Sequence, residues 1–364
     1  MNTPQHTSAP PPEHDTAETI AGGPIAEEGP GSLKPLRNAV IAAVGVIAVF
    51  SMFLLSYSGA FANPKPHDIP VAVVAPQAVA AKLDATSALD VRTVPSASAA
   101  RELVKDRTVY GAFVMDAKGN LSLDIASGGG RSVALALTTI AQTMTGEQGT
   151  TLTVNDLAPL GNNNPSGTFE FYCVLFLSIA AAMGATVLGR VLGTVRDVRH
   201  MLRRGAFLLG YTALLSGTFL LLADALAGAL VGHAGELFLV FWAYTTAVCL
   251  AVTGIAARLG TVVALIVSMA ITILGNASAG GPVAAPMLNS FFRAVNPVFP
   301  QGAGMTWIRG VLYFDDHGIG TGMTTLAVWA AVGLVLLFGA AFRQGRRKPA
   351  VVPGTEAPVA AVAG

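Results

Sequence analysis

The sequence has few cysteines and few charged residues. Of its 364 residues only 2 are cysteine, and both lie in apolar runs, so the polar segments fold without disulfide bonds. Charged residues make up 12% of the chain, and the histidines lack the spacing of a metal site. No triad or Walker-type loop occurs, and we interpret the segment Ser127-Gly128-Gly129-Gly130 as a flexible linker. We therefore expect no enzyme activity, no cofactor and no nucleic acid partner.

The chain does contain long apolar runs with uncharged centres. They span residues 39–57, 169–192, 206–231, 237–257, 261–279 and 323–342. Each is about as long as a helix that crosses a hydrocarbon core of about 30 Å. Buried helices of a soluble protein are the alternative, but those should carry a polar stripe. The pattern predicts a polytopic α-helical membrane protein with six transmembrane helices, one before and five after a large insert.

Basic residues alternate along the segments between these runs. They precede the first run, separate the second from the third and the fourth from the fifth, and follow the last. Because cytoplasmic loops are enriched in Lys and Arg, we place both termini in the cytoplasm and residues 60–168 and 280–322 outside, in a bacterial plasma membrane. We predict disordered tails at 1–38 and 343–364. Residues 60–62 resemble a signal-peptidase site. The apolar stretch before them, however, is longer than the apolar region of a signal peptide, which favours an uncleaved helix at 39–58.

The insert alternates between strand and helix patterns. Strands are predicted at 69–75, 90–94, 108–115, 120–125 and 151–154. Helices are predicted at 77–84, 96–105 and 131–144, with Ser96 as a cap. We therefore expect a small extracytoplasmic α/β domain over 60–168, followed by a five-helix permease-like domain over 169–342.

Polar residues inside the predicted spans are rare. Asp224 and Asn276 lie towards the outer surface, where each either reaches water or lines a cavity. No Asp, Glu or His lies at the centre of a span, which speaks against proton coupling.

Two clusters outside the spans are candidate sites. Arg196, Arg199, Arg203 and Arg204 share one face if their segment is helical, and this face either docks a partner, lies against anionic lipid or only sets the topology. In the outer loop, prolines stand beside aromatic and basic residues, which is typical of short interfacial helices. The residues of this second cluster are Pro286, Phe291, Phe292, Arg293, Pro300, Trp307 and Arg309.

This layout resembles the type-2 ABC transporter permease superfamily, and in particular its phage-infection-protein-like and multidrug-resistance-like branch. The resemblance rests on the order of one span, an insert and five spans, on Phe291-Phe292-Arg293 and Phe299-Pro300, and on the Ile-Pro-Val-Ala-Val-Val strand after the first span. It implies an export permease, a homodimer or heterodimer, with a separate ATPase subunit bound at residues 196–204 and re-entrant or interfacial helices at 286–309. The Gly-Thr-x-Glu element of ATPase-coupled members is absent from the loop after the second span.

Two functions follow from these observations. The leading hypothesis is a permease-like subunit that exports a hydrophobic or amphipathic compound with a partner ATPase. The alternative is a non-transporting surface receptor or assembly scaffold that uses the external α/β domain.

Overall fold

A computed structural model describes residues 33–193 and 198–345. Its helices are α1 (Lys34–Phe61), α2 (Gln77–Asp84), α3 (Ala97–Lys105), α4 (Arg131–Gln148), α5 (Phe169–Val191), α6 (Val198–Leu221), α7 (Ala234–Leu259), α8 (Thr261–Ser278), α9 (Ser290–Val295), α10 (Pro300–Tyr313) and α11 (Gly320–Gly345). Its strands are β1 (Ile69–Val74), β2 (Leu89–Thr93), β3 (Gly111–Met115), β4 (Leu121–Ile125) and β5 (Leu152–Asp156).

The chain divides into two compact units, Met1–Ala48 and Val49–Gly364. The described part of the first unit is Leu33 and the beginning of α1. The second unit holds the rest of α1, the strands and all later helices, so the sheet and the helix bundle belong to one unit.

Six of the described helices are long and apolar enough to cross a membrane: α1, α5, α6 with its extension to Leu226, α7, α8 and α11. Each coincides with one of the predicted runs, and none of these helices was missed. The chain is therefore a multi-pass helical membrane protein.

Several helix ends differ from the predicted ones. Helix α1 begins at Lys34 and α11 continues to Gly345, so helix replaces part of both predicted tails. The rest of those tails lies outside the described residues. Hydropathy marks the hydrocarbon core alone, whereas helical hydrogen bonding continues through flanking residues of good helix propensity. The third helix instead stops early: α6 passes into a π turn at Leu222–Leu226, and Gly228, with φ of 59°, ends it before Val231.

Helix α7 lies at the centre of the bundle and is its most buried span. It packs against α5, α6, α8, α10 and α11. The closest approach is to α11, where a Cβ on Gly254 would lie 2.3 Å from the carbonyl oxygen of Gly333. Glycine on both helices therefore sets this spacing, because any side chain would force the backbones apart.

The five strands form one sheet in the order β2-β1-β3-β4-β5. Strand β1 is parallel to β2 and β3, β3 is antiparallel to β4, and β4 is parallel to β5. The elements agree closely with those predicted, and the side chain of Ser96 accepts a hydrogen bond from the Ala99 amide as the expected cap of α3. Because side chains alternate along a strand, Val71 and Val73 face α2 and α4 while Ala72 faces α3.

The sheet shares a hydrophobic core with helix ends of the bundle. On its α2 and α4 face, Leu137 belongs to the same buried cluster as Ala60 of α1, Ala277 of α8 and Phe292 of α9. The side-chain amide of Asn289 also donates to the carbonyl oxygen of Gly59 at 2.9 Å. This end of the bundle is called the sheet end below, and the opposite end the far end.

The loop before the last span is packed rather than superficial. Helix α10 is buried along most of its length between α5, α7, α8 and α11. Residues 300–309 thus pack among the spans, which favours the re-entrant alternative over helices on the surface of the bundle. The Gly- and Ala-rich face of α10 permits close packing, which outweighs the interfacial preference of its single Trp.

Candidate functional site

An open groove with a volume of about 450 Å³ lies between α1, α5 and α8. Phe50 and Phe53 of α1 form one wall. The other walls consist of Ile179, Ala182, Met183, Thr186 and Val187 of α5 and Leu265, Ser268, Met269 and Thr272 of α8. All three helices are candidate membrane spans, so the groove lies at membrane depth.

The groove offers an apolar surface to a ligand. The hydroxyls of Thr186 and Ser268 donate to carbonyl oxygens of their own helices, those of Ala182 and Leu265, each at 2.9 Å. None of its described lining residues carries a charge. Unbranched methionine side chains adapt to ligands of different shape, and aromatic rings add large flat apolar surfaces. The groove is therefore suited to a hydrocarbon chain or an aromatic body, and it gives no site for an ion.

A buried arginine ties the sheet to the sheet end of the bundle. The Arg309 side chain is 6% exposed and reaches four carbonyl oxygens. They are those of Gly280 at 2.8 Å, Gly281 at 3.2 Å, Gly129 at 3.3 Å and Gly167 at 3.3 Å. One guanidinium thus joins the turn before α4, the segment before α5 and the segment after α8.

The turn at Ser127–Gly129 is also part of this junction, so its interpretation as a flexible linker is wrong. A Cβ on Gly128 would lie 2.4 Å from the ring of Tyr313. Only glycine lets α10 approach the turn so closely. The glycines here permit close packing. A sequence alone does not distinguish glycines that permit close packing from glycines that make a linker flexible.

A carboxylate lies buried near this junction. Glu170, in the first turn of α5, is fully buried and accepts hydrogen bonds from the amide of Asn164 at 2.8 Å and from the hydroxyl of Tyr313. The Asn164 side chain also accepts from the backbone amides of Thr168 and Phe169, which satisfies free N–H groups at the start of α5. Burial, followed by the charge of Glu170, raises the pKa of Tyr313, which keeps its hydroxyl protonated.

A second arginine connects the sheet to α10. Arg107 donates to the carbonyl oxygen of Thr306 at 2.8 Å and lies 5.0 Å from the ring centre of Phe314. Burial lowers its pKa to about 10 against an opposing effect of Tyr110, so it stays charged at neutral pH. Arg107 lines a cavity of about 310 Å³ between the sheet and α10.

The structure separates the predicted arginine cluster at the far end. Arg199 and Arg203 are exposed in the first turns of α6, whereas Arg204 is 6% exposed and donates to the carbonyl oxygen of Gly193 at 2.9 Å. These three residues therefore do not share one exposed face. Arg196 lies outside the described residues.

The two candidate cavity residues differ in environment. Asn276 is fully buried between α8 and α5, where its amide donates to the hydroxyl of Ser178 at 3.2 Å. Asp224 is half-buried in the π turn after α6. Neither lines the groove.

The predicted outer-loop residues take up several roles. Pro286, Phe292 and Pro300 are buried, Trp307 is half-buried, and Phe291 is exposed. Arg293 is half-buried and donates to Asp68 at 3.2 Å and to the carbonyl oxygen of His67 at 3.0 Å. Only Arg309 of this set reaches the junction.

Sequence reasoning missed Glu170, Tyr313, Asn164 and Arg107. The signal for Glu170 was present, because a carboxylate in the first turn of a predicted span needs a partner. The aromatic walls of the groove, Phe50 and Phe53, looked like ordinary lipid-facing residues. Nothing in the sequence marked the partners of Arg107, which lie about two hundred residues away along the chain.

A comparison with known protein families gives a match over most of the chain. The model of the family described as ABC-2 family transporter protein matches residues 40–342, which include all the sheet and nearly all of the spans. No curated protein and no solved structure matches the chain.

Proposed function

The chain belongs to the ABC-2 family of transporter proteins, and from this premise we propose that it exports a hydrophobic or amphipathic compound along the groove between α1, α5 and α8. Membership makes it a membrane permease subunit, a transport component rather than an enzyme. The order of spans and insert further supports a place in the phage-infection-protein-like, multidrug-resistance-like branch.

The groove carries the proposal. Its volume of about 450 Å³ falls within the range of small-molecule sites. Its apolar walls match a substrate that partitions into the bilayer before it is moved. Proton-driven carriers place acidic residues in the transport path, and none of the described groove residues is acidic. The groove therefore fits a transporter that is not driven by protons.

A second subunit would complete this path. The groove is open on one side, and its walls include Phe50 at 68% and Met183 at 62% exposed. A homodimer or heterodimer that covers this side would enclose the substrate between two protomers.

The positions of the basic residues support both the proposed orientation in the membrane and an ATPase subunit as the energy source. Because Lys and Arg favour cytoplasmic loops, we place the far end and both termini in the cytoplasm of a bacterial plasma membrane. The α/β domain at 60–168 and the loop at 280–322 then lie outside, against the five-helix domain at 169–342. Exposed Arg199 and Arg203 are accessible to an ATPase subunit at the far end.

Filling the groove tests the proposal. Ala182→Trp places an indole inside it, whereas Val335→Trp places the same side chain on the exposed face of α11. Export of N-phenylnaphthylamine and of a nitrobenzoxadiazole-labelled fatty acid is measured in cells that lack the native chain and produce each variant at equal level. We expect export to fall to background with Ala182→Trp and to stay at the wild-type rate with Val335→Trp. Equal export by both variants would count against the groove.

The ATPase partner requires a separate test. The full chain is purified from native membranes, and ATP hydrolysis and copurifying subunits are measured. Charge reversal at Arg199 and Arg203 should remove the ATPase, while Arg343→Glu, an exposed change on α11 at the same end, should not. Function that survives replacement of the spans by a generic anchor would instead support a receptor or scaffold.

A further inference from the structure

A cleft at the far end of the bundle has properties that transport does not explain. It has a volume of about 300 Å³ and lies between α5, α6, α7 and α8. Its polar residues are Arg190 and Arg204, with Thr186 and Thr261 beside them. It is distinct from the arginines proposed to face an ATPase, because Arg199 and Arg203 do not line it.

The guanidinium of Arg204 is buried, and it forms no ion pair with a carboxylate among the residues that the structure describes. It donates to the carbonyl oxygen of Gly193 at 2.9 Å, but its Nε–H, also buried, has no hydrogen-bond acceptor among the described residues. None of the described residues that line the cleft is acidic. Burying a cation costs several kcal/mol unless an anion or several hydrogen bonds compensate it. A free donor inside an open basic cleft therefore points to an anionic ligand.

The backbone around Arg204 is shaped for this position. A Cβ on Gly189 would lie 2.9 Å from Nη2 of Arg204, so glycine makes the room that the guanidinium occupies. The next residue along α6, Arg203, is exposed. Arg204 is therefore buried because its side of α6 faces the cleft, and not because the whole start of α6 is buried.

We propose that this cleft binds a phosphate group. The fork of a guanidinium matches the oxygen atoms of phosphate, and Arg190 adds a second positive charge at the cleft. The cleft lies at the ends of these four spans, the depth at which lipid headgroups lie, and basic clefts between spans bind anionic headgroups. Two sources offer the same chemistry: the headgroup of an anionic phospholipid and free phosphate in solution.

Lipid selectivity tests the first source. The full chain is reconstituted in vesicles of phosphatidylcholine that contain spin-labelled phosphatidylglycerol or spin-labelled phosphatidylcholine, and the immobilised fraction gives the relative association constant. We expect a preference for phosphatidylglycerol that Arg204→Gln lowers about fivefold. Arg203→Gln removes the same charge from an exposed site and should lower it less than about twofold. Equal effects of the two variants would show a diffuse surface attraction and overturn the site.

Inorganic phosphate tests the second source. Its binding to the same protein in pure phosphatidylcholine vesicles is measured by calorimetry. Saturable binding that Arg204→Gln abolishes, without a lipid preference, identifies soluble phosphate as the ligand. Gly189→Ala is the second variant, for use if Arg204→Gln does not fold. It keeps the charge but displaces the guanidinium, and so should weaken the binding of either ligand. A wild-type chain that neither prefers phosphatidylglycerol nor binds phosphate would overturn the proposal.

Discussion

Replacing Arg309 by methionine should destabilise the protein although it removes a buried charge. The guanidinium makes one hydrogen bond of 2.8 Å, to Gly280, and three longer ones of 3.2 to 3.3 Å. A hydrogen bond from a charged donor contributes about 1.5–3 kcal/mol, and long bonds contribute less. Methionine fills similar space, and removing the cation regains part of its desolvation cost. The net loss in the free energy of unfolding should be about 3 kcal/mol.

The unfolding midpoint, followed by thiol reactivity, reports this loss of stability. The chain has 2 cysteines, Cys173 and Cys249, and both are buried in the bundle, so a thiol-reactive fluorophore reports its thermal unfolding. For a chain of 364 residues, a loss of this size should lower the unfolding midpoint by about 4–5 °C. Arg309→Lys, which keeps the charge but cannot span all the carbonyls, should fall between wild type and Arg309→Met.

A second arginine of the same loop provides the control. Arg293→Met removes a partly exposed ion pair to Asp68 and a hydrogen bond to the carbonyl oxygen of His67, which together contribute about 1–2 kcal/mol. Its midpoint should therefore stay within about 3 °C of wild type. If Arg309→Met lowers the midpoint no more than Arg293→Met, the four carbonyl contacts do not hold the sheet to the spans.

Two further predictions concern other contacts. Gly254→Ala should cost about 1–3 kcal/mol in the same assay, because its Cβ would meet the carbonyl oxygen of Gly333, whereas Gly339→Ala on α11 meets nothing within 4 Å and should be neutral. Tyr313 has a raised pKa, so its stabilising contribution is fully present below its unfolded-state pKa of about 10 and is lost as the pH rises towards the folded-state value. The difference in unfolding midpoint between wild type and Tyr313→Phe should therefore shrink above about pH 10; a constant difference would contradict the burial of the Tyr313 hydroxyl beside Glu170.

The sequence predicts the local features of this molecule well. Hydropathy and length suffice for the six spans, because a lipid-facing helix must be apolar over about 20 residues. Alternation and capping suffice for the sheet elements: α2 spans the predicted residues 77–84 and Ser96 caps α3. These signals arise from neighbours in the chain, so a sequence alone contains them.

The contacts between distant segments are not predictable in this way. Arg293 and Arg309 look alike in the loop before the last span, yet one makes an exposed ion pair and the other lies beneath four carbonyl oxygens. Arg203 and Arg204 are adjacent, and only the second is buried. The two arginines of each pair differ in exposure because the surfaces against which they pack differ, and those surfaces come from distant parts of the chain. The turn at Ser127–Gly129 was misjudged for the same reason, since Tyr313 is remote in sequence.

The core shared by the sheet and the helix ends also constrains biosynthesis. The bond between Asn289 and Gly59 joins residues 230 apart, and that between Arg293 and His67 joins residues 226 apart. A ribosome adds about 5–20 residues each second, so many seconds separate the synthesis of the sheet from that of its partners. During this interval the part of this core that Ala277 and Phe292 cover is exposed, because those residues are not yet made. The sheet can thus dock only after the fifth span has been inserted, and this late step is the one most exposed to misassembly or to capture by a chaperone.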